Sequence, residues 1–283
     1  MKNTTIILKS GKNFFVKNIV TIVFFVAAIY LLTLTPSSEL VGPQIIFFDI
    51  GQGDATLIQQ DDFQILVDGG PNDRIVYELA KKMPPFDKTI EFVVLTHPHE
   101  DHIRGLMSVL EEYTVERFLL NRVDYENRAY HYLLENYEDI LVDVVEGDII
   151  EYEDILVTVL FPFDEERVQY RNINNESVVL LVEIYDYKTL LMGDAEEELE
   201  HRLVDRWDHG DIYFLKAGHH CSKTSSTEMF LRTINPTIAI CSSGERNRFG
   251  HPHYETLENF RKLNVQYLVT YREGNIVINF DDL

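Results

Sequence analysis

Three histidines and an aspartate, His97, His99, His102 and Asp101, fall within six residues in the segment VVLTHPHEDHIRG. Two residues of extended chain return a side chain to the same side of the backbone, so His97 and His99 can address one ion. Asp101 and His102, opening the next stretch, can reach a second ion beside it. Imidazole with carboxylate is the donor set expected for Zn²⁺, with Mn²⁺ or Fe²⁺ as alternatives. Four titratable side chains this crowded at a strand end would repel one another or need separate partners if they did not share metal.

One cluster cannot close two coordination spheres. Asp194, in TLLMGDAEE, follows a hydrophobic strand and a glycine, where its carboxylate can bridge two ions; the competing role is N-cap of a helix over 195–204. In LKAGHHCSKTSS, His219 and His220 again follow a strand through a glycine. Adjacent side chains diverge, so one can bind metal while the other faces substrate. His251 and His253, in RNRFGHPHYE, sit in a Gly and Pro loop that by itself reads as surface. Cys221 and Cys241 form no zinc-ribbon spacing and no disulfide framework; a single bridge between them is compatible with the sequence but has no motif behind it.

The elements that must carry these residues are punctuated regularly. Strands are expected at 45–48, 55–58 and 64–67, separated by GQGD and QDD turns, then a helix over 73–81 stopped by two prolines. A buried strand at 92–95 leads into the histidines and a helix over 103–111. Further strands fall near 118, 141–144 and 155–160, with a helix around 128–137. Strands at 178–185 and 189–192 form a hairpin. The last quarter alternates strands at 212–215, 238–241, 267–270 and 275–280 with helices at 227–233 and 255–263. Meandering strands followed by strand and helix alternation predict an α/β (α+β) architecture of two mixed sheets with helices outside.

Residues 19–34 (IVTIVFFVAAIYLLTL) are apolar and follow four lysines without an acid. This predicts one N-terminal membrane helix: a basic cytoplasmic tail over 1–18, an anchor over 19–35, a linker over 36–43 and a domain over 44–283. The lysines place the domain outside the cytoplasm. A cleaved signal peptide is the rival, although no small-x-small cleavage site follows. Beyond residue 34 the chain carries 21 basic against 47 acidic side chains, a balance of −26. A body of that sign disfavours broad nucleic-acid binding, which rests on neutralising phosphates.

Read together, FFDIGQGDA at 47–55, ILVDGG at 65–70, LTHPHEDHIRG at 95–105, NNESVVL at 174–180, LLMGDAE at 190–196, LKAGHHCSKTSS at 215–226 and RNRFGHPHYETL at 246–257 resemble the metallo-β-lactamase superfamily. More narrowly, they resemble the hydrolase domain of competence-type DNA-uptake channel proteins and their stand-alone relatives. The resemblance implies an αββα sandwich with a metal cleft at the edge shared by its sheets, and a metal-activated hydroxide attacking a phosphoryl or acyl centre. It makes His97, His99, Asp101, His102, Asp194 and His220 the ligands of two divalent ions, Zn²⁺ first. It gives catalytic work to Asp101, His219 and His253, and supporting positions to Asp68, Asn175, Ser177 and His251. Three departures stand out. A further superfamily histidine is replaced by Asn174, Asn175 and Ser177, with His131 the only histidine left in the interval; Cys221 occupies a glycine position; and the channel's many transmembrane helices are missing.

A phosphodiesterase or related phosphoester hydrolase, acting on a small substrate outside the membrane, is the function expected. The alternatives are an extracytoplasmic nuclease, which could use a local groove of Lys216, Lys223, Arg246 and Arg248, and a metal-dependent binding module without turnover. β-Lactam hydrolysis has little support. Nothing in the sequence fixes an oligomeric state.

Overall fold

The computed structural model of the chain describes residues 23–25, 41–164 and 170–283. Residues 1–39 and 40–283 are separate units. Apart from Val23, Phe24 and Phe25, the apolar run read as an anchor lies outside the described residues; among those described, no helix is long and apolar enough to cross a membrane.

Two seven-stranded sheets make up the body. The first runs β14-β1-β2-β3-β4-β5-β6 and the second β13-β12-β11-β10-β9-β8-β7. In the first, β1 (Gln44–Phe47), β2 (Thr56–Gln60) and β3 (Phe63–Val67) meander antiparallel, and β4 (Thr89–Leu95), β5 (Thr114–Leu120) and β6 (Leu141–Asp143) add in parallel. The second begins with β7 (Ile149–Tyr152), β8 (Ile155–Phe161), β9 (Val179–Ile184) and β10 (Tyr187–Leu191), all antiparallel. It continues in parallel through β11 (Phe214–Lys216), β12 (Ile238–Cys241) and β13 (Gln266–Val269). The closing strand β14 (Ile276–Asn279) returns to pair with β1.

Side-chain alternation sets the layers, because successive residues of a strand face opposite sides of its sheet. Ile45 and Phe47 of β1 pack with Leu180 and Val182 of β9 between the sheets. Ile46 and Phe48 point outward, with Ile75 and Leu79 of α1 (Arg74–Lys82), Ile103, Leu106 and Val109 of α2 (Glu100–Glu112), and Tyr130 and Leu133 of α3 (Arg128–Asn136). On the far side, Val179 and Leu181 of β9 meet Leu199 and Leu203 of α4 (Glu197–Asp205), Phe230 of α5 (Glu228–Ile234) and Phe260 of α6 (Tyr254–Lys262). Three apolar layers separate four structural ones, the αββα order that the resemblance implies.

Element ends depart from the expected ones by a few residues. The strand expected at 212–215 begins at Phe214, and the histidine-bearing helix starts at Glu100 rather than 103. Glu100 and Asp101 occupy the first turn of α2, where acids complement the positive end of the helix dipole. That turn lies hard against the first sheet: Gly69 N donates to His102 O at 2.8 Å and Gly105 N to Gly70 O at 2.9 Å. A Cβ at Gly105 would collide with the Gly69 carbonyl. Gly105→Ala is therefore expected to lower stability by about 1–3 kcal/mol, read as a fall in the urea midpoint at constant m value; an unmoved midpoint would show that α2 can retreat freely.

Candidate metal centre

The strand ends of both sheets deliver the chemistry to one edge. From the first sheet, β4 releases Thr96 and His97, and His99 is the extended N-cap of α2. The His97 ring centroid lies 4.6 Å from that of His99 and 4.2 Å from that of His102. From the second sheet, β10 ends before Gly193 and Asp194. Gly193 is required there: its φ is +54°, and a Cβ would come within 2.9 Å of Ser177 and Thr96. β11 leads to the turn Gly218–Cys221, which carries His219 and His220.

Asp194 is the centre of the arrangement. Its Oδ1 lies 3.4 Å from His102 Nε2, and its Oδ2 lies 3.9 Å from His97 Nε2, 3.8 Å from His219 Nε2 and 3.5 Å from His220 Nε2. Two donor groups converge here, His97 with His99 and Asp194, and Asp101 with His102 and His220, each set within 4.8 Å. His220 Nε2 is 3.3 Å from Asp101 Oδ2. The inner Nε2 atoms of His97, His102 and His220 and Oδ1 of Asp194 are buried without a hydrogen-bond partner. An unpaired buried polar atom costs about 1–3 kcal/mol, so four facing one another are an arrangement that cations would satisfy. Asp194 caps nothing through its side chain; the N-cap of α4 is Glu196.

The outer nitrogens are committed elsewhere, which fixes the inner ones. Asp68, at the end of β3, accepts from Thr96 N at 2.8 Å, Thr96 Oγ1 at 2.7 Å and His102 Nδ1 at 2.8 Å. His220 Nδ1 donates to Ser242 O at 2.9 Å. Ser177 Oγ accepts from Asp194 N at 3.0 Å and lies 3.3 Å from His97 Nδ1. The segment without the extra histidine is thus a brace: Asn175 Oδ1 accepts from Glu196 N, and Asn174 donates to Glu196 Oε1. Glu196 in turn holds His219 Nδ1 at 2.7 Å, aiming His219 Nε2 toward Asp194. His131 is exposed beside Glu126 and takes no part.

Three sequence expectations change. His253 has no proton to offer the cleft, because its Nδ1 accepts from Lys223 N at 2.9 Å and its Nε2 donates to Phe249 O at 3.1 Å. His251, expected only in support, is the member of the pair that faces inward, its ring 5.2 Å from His219 and 5.9 Å from His220. Lys216 belongs to no surface groove: it is buried in an ion pair with Asp54 and donates to Gly193 O. Asp54, whose Oδ1 is also 3.2 Å from His220 Nδ1, is thereby neutralised by lysine rather than free for metal. The Asp54–Lys216 pair and Tyr125, 5.4 Å from the His99 ring, were not singled out from sequence as parts of the site. GQGD and LKAGHH each hinted at one member of the pair, but nothing joined them. Cys221 and Cys241 are bridged, which removes Cys221 as a soft ligand.

Without metal, protons take the place of cations. Burial disfavours charge on His102, yet Asp194 and Asp68 push it well above the ordinary histidine range. Burial is likewise outweighed at His220, pushed up to about 10 by Asp194 and Asp54. Burial and the neighbouring His220 and His219 hold His251 down to about 3. Metal entering at neutral pH must displace the protons on His102 and His220. Uptake should therefore release about two protons per chain and strengthen as pH rises, measurable by titration calorimetry in buffers of different ionisation enthalpy; buffer-independent heats would contradict it. His220→Ala should lose about one metal equivalent by elemental analysis, whereas His219→Ala should keep its metal and lose turnover. The reverse result would exchange their roles.

A family model described as the metallo-beta-lactamase superfamily matches residues 48–245. The chain is 28% identical over 254 residues to ComE operon protein 3 of Bacillus subtilis (strain 168), covering 82% of this chain and 32% of that protein. It is 31% identical over 242 residues to Recombination protein 2 of Haemophilus influenzae, covering 84% and 29%. It therefore spans about three-tenths of these relatives' length. Among solved structures, the metallo-beta-lactamase fold protein YhfI from Bacillus subtilis superposes with a TM-score of 0.57 at 11% identity, over 83% of this chain and 99% of that one.

Proposed function

The chain belongs to the metallo-β-lactamase superfamily, with competence-type relatives, and on that footing we propose that it is a metal-dependent phosphoester hydrolase whose preferred substrate is a small phosphodiester. The observation that carries this reading is the convergence of buried, unpartnered His97, His102 and His220 nitrogens on the Asp194 carboxylate. Two divalent ions, Zn²⁺ before Mn²⁺ or Fe²⁺, suit that donor set; bound there, they would polarise a phosphoryl oxygen and lower the pKa of a water toward about 7.

The chain's own groups do the rest. His97, His99 and Asp194 hold one side of the centre, and Asp101, His102 and His220 hold the other. His219 stands at the cleft mouth with Nδ1 fixed by Glu196 and Nε2 inward, placed to donate a proton to the leaving oxygen. His251, kept neutral, lines the cleft behind it and offers a hydrogen bond without adding charge. Asp68 and Ser242 supply the acceptors that hold His102 and His220 in their ligating orientation.

The substrate's size follows from charge. A body with a balance of −26 beyond residue 34 repels each added phosphate of a long polyanion, whereas a small diester meets chiefly the cations of the cleft. With Lys216 buried and paired, the basic groove that a nuclease would use loses a member. The expected outcome is that kcat/KM for bis(p-nitrophenyl) phosphate exceeds that for single-stranded DNA at low salt, the gap narrowing as salt screens the repulsion. DNA cleavage that is efficient at low salt and falls steeply with added salt would replace this reading with the nuclease one.

Placement outside the cytoplasm is part of the proposal. The lysines before the apolar run support it, and so does the Cys221–Cys241 bridge, because disulfides persist in oxidising compartments. Protease added to intact cells should digest residues 40–283; a fully protected body would refute the placement.

A further inference from the structure

The turn that carries His220 is held in a backbone conformation its residues disfavour. His219, His220 and Cys221 follow one another at φ of 45°, 55° and 62°, in the left-handed region where a side chain crowds the following carbonyl. Glycine enters that region freely, and none of the three is glycine. The turn must therefore be kept there by what surrounds it.

What surrounds it is a covalent link at the decisive place. Cys221 directly follows the ligand His220, and Cys241 directly precedes Ser242, whose carbonyl accepts the His220 Nδ1 proton at 2.9 Å. The bond thus joins the two backbone points that flank the hydrogen bond aiming His220 Nε2 toward Asp101 and Asp194. Cα atoms 5.4 Å apart put the end of β12 and the turn in contact, and both cysteines are fully buried. The Cys221 carbonyl also accepts from His253 N at 3.0 Å, so the same residue fixes the start of α6 and the loop that presents His251.

We propose that the Cys221–Cys241 disulfide is a positioning element of the metal centre, which holds the left-handed turn closed on β12 and keeps His220 aimed at the ion shared with Asp101 and His102. Forming the bond takes two electrons and two protons from the two thiols, accepted by a disulfide-bearing oxidoreductase that is itself reduced to a dithiol. Oxidation then tightens the metal position that His220 serves. The inference rests on the metal-dependent reading of the site, and its readout is metal affinity, so failure to cleave any phosphoester leaves it standing.

The test compares three full-length variants with the native chain by Zn²⁺ competition titration against a chromophoric chelator, with circular dichroism as the control for folding. Cys221→Ser/Cys241→Ser and Cys241→Ala both lose the bond and should weaken one Zn²⁺ equivalent about 10–100-fold, the range for removing a group that orients a ligand. Cys221→Gly/Cys241→Ala loses the same bond but returns glycine to the left-handed position, and should recover to within a few-fold of the native value. Native affinity in Cys221→Ser/Cys241→Ser or in Cys241→Ala, or two reactive thiols per chain in denatured, unreduced protein, overturns the proposal. So does a glycine variant as weak as Cys241→Ala, since the loss would then be one of core packing. A native chain that binds no Zn²⁺ overturns the metal reading and this inference with it.

Discussion

A carboxylate removed from water needs positive charge or several donors beside it, and Asp194 is buried at the junction of two sheets with an unpartnered oxygen. Most of the site is arranged around that constraint. Imidazole nitrogens ring the carboxylate, and each imidazole that closes on it has its other nitrogen tied to Asp68, Ser242, Ser177 or Glu196. Orientation therefore comes from outside the ring, and charge compensation from within it. Removing one outer acceptor would loosen the hold on its imidazole and leave the carboxylate less well matched.

The sandwich makes such a ring affordable. Histidines from one sheet and the aspartate and histidine turn from the other meet because both sets of parallel strands end at the same edge, and Val178 N donating to Thr96 O at 2.9 Å ties those ends together. Asp54, from the β1–β2 connection of the first sheet, and Lys216, from β11 of the second, form a second tie beneath the ring. Breaking a buried pair by removing one member costs about 3–5 kcal/mol, so this tie holds the sheets in register under the centre. It also keeps Asp54 from competing with Asp101 for a cation, since its charge is already met.

Much of this could be read from residue types and spacing. The HPHEDH cluster, Asp194 after Gly193 and the HH pair are local signals, each at the end of a hydrophobic strand, and strand alternation gave the layers. The limits have physical causes. The edge strand β7 exposes Ile149, so its alternation does not separate it from a loop. The Asp54–Lys216 pair and the Cys221–Cys241 bridge join residues whose partners only the fold selects. Which of His251 and His253 turns inward depends on two backbone hydrogen bonds that capture the His253 ring, and sequence spacing holds no record of them.

On the proposed reading, the placement of charge would let an acidic chain favour an anionic substrate. Asp54 is paired with Lys216 and His251 is kept neutral, so the carboxylates left are those of Asp68, Asp101 and Asp194 in the centre and Glu196 at its mouth. Two divalent ions held there would offset these four carboxylates and leave the cleft floor far less negative than the body around it. Their attraction would act over the few ångströms of a bound phosphate, while the surface field reaches out to about a Debye length, roughly 8–10 Å in ordinary salt. Short-range attraction inside longer-range repulsion would admit a compact anion and turn away an extended one. Discrimination by size would then need no dedicated pocket wall, only a neutralised interior and an acidic exterior in the same chain.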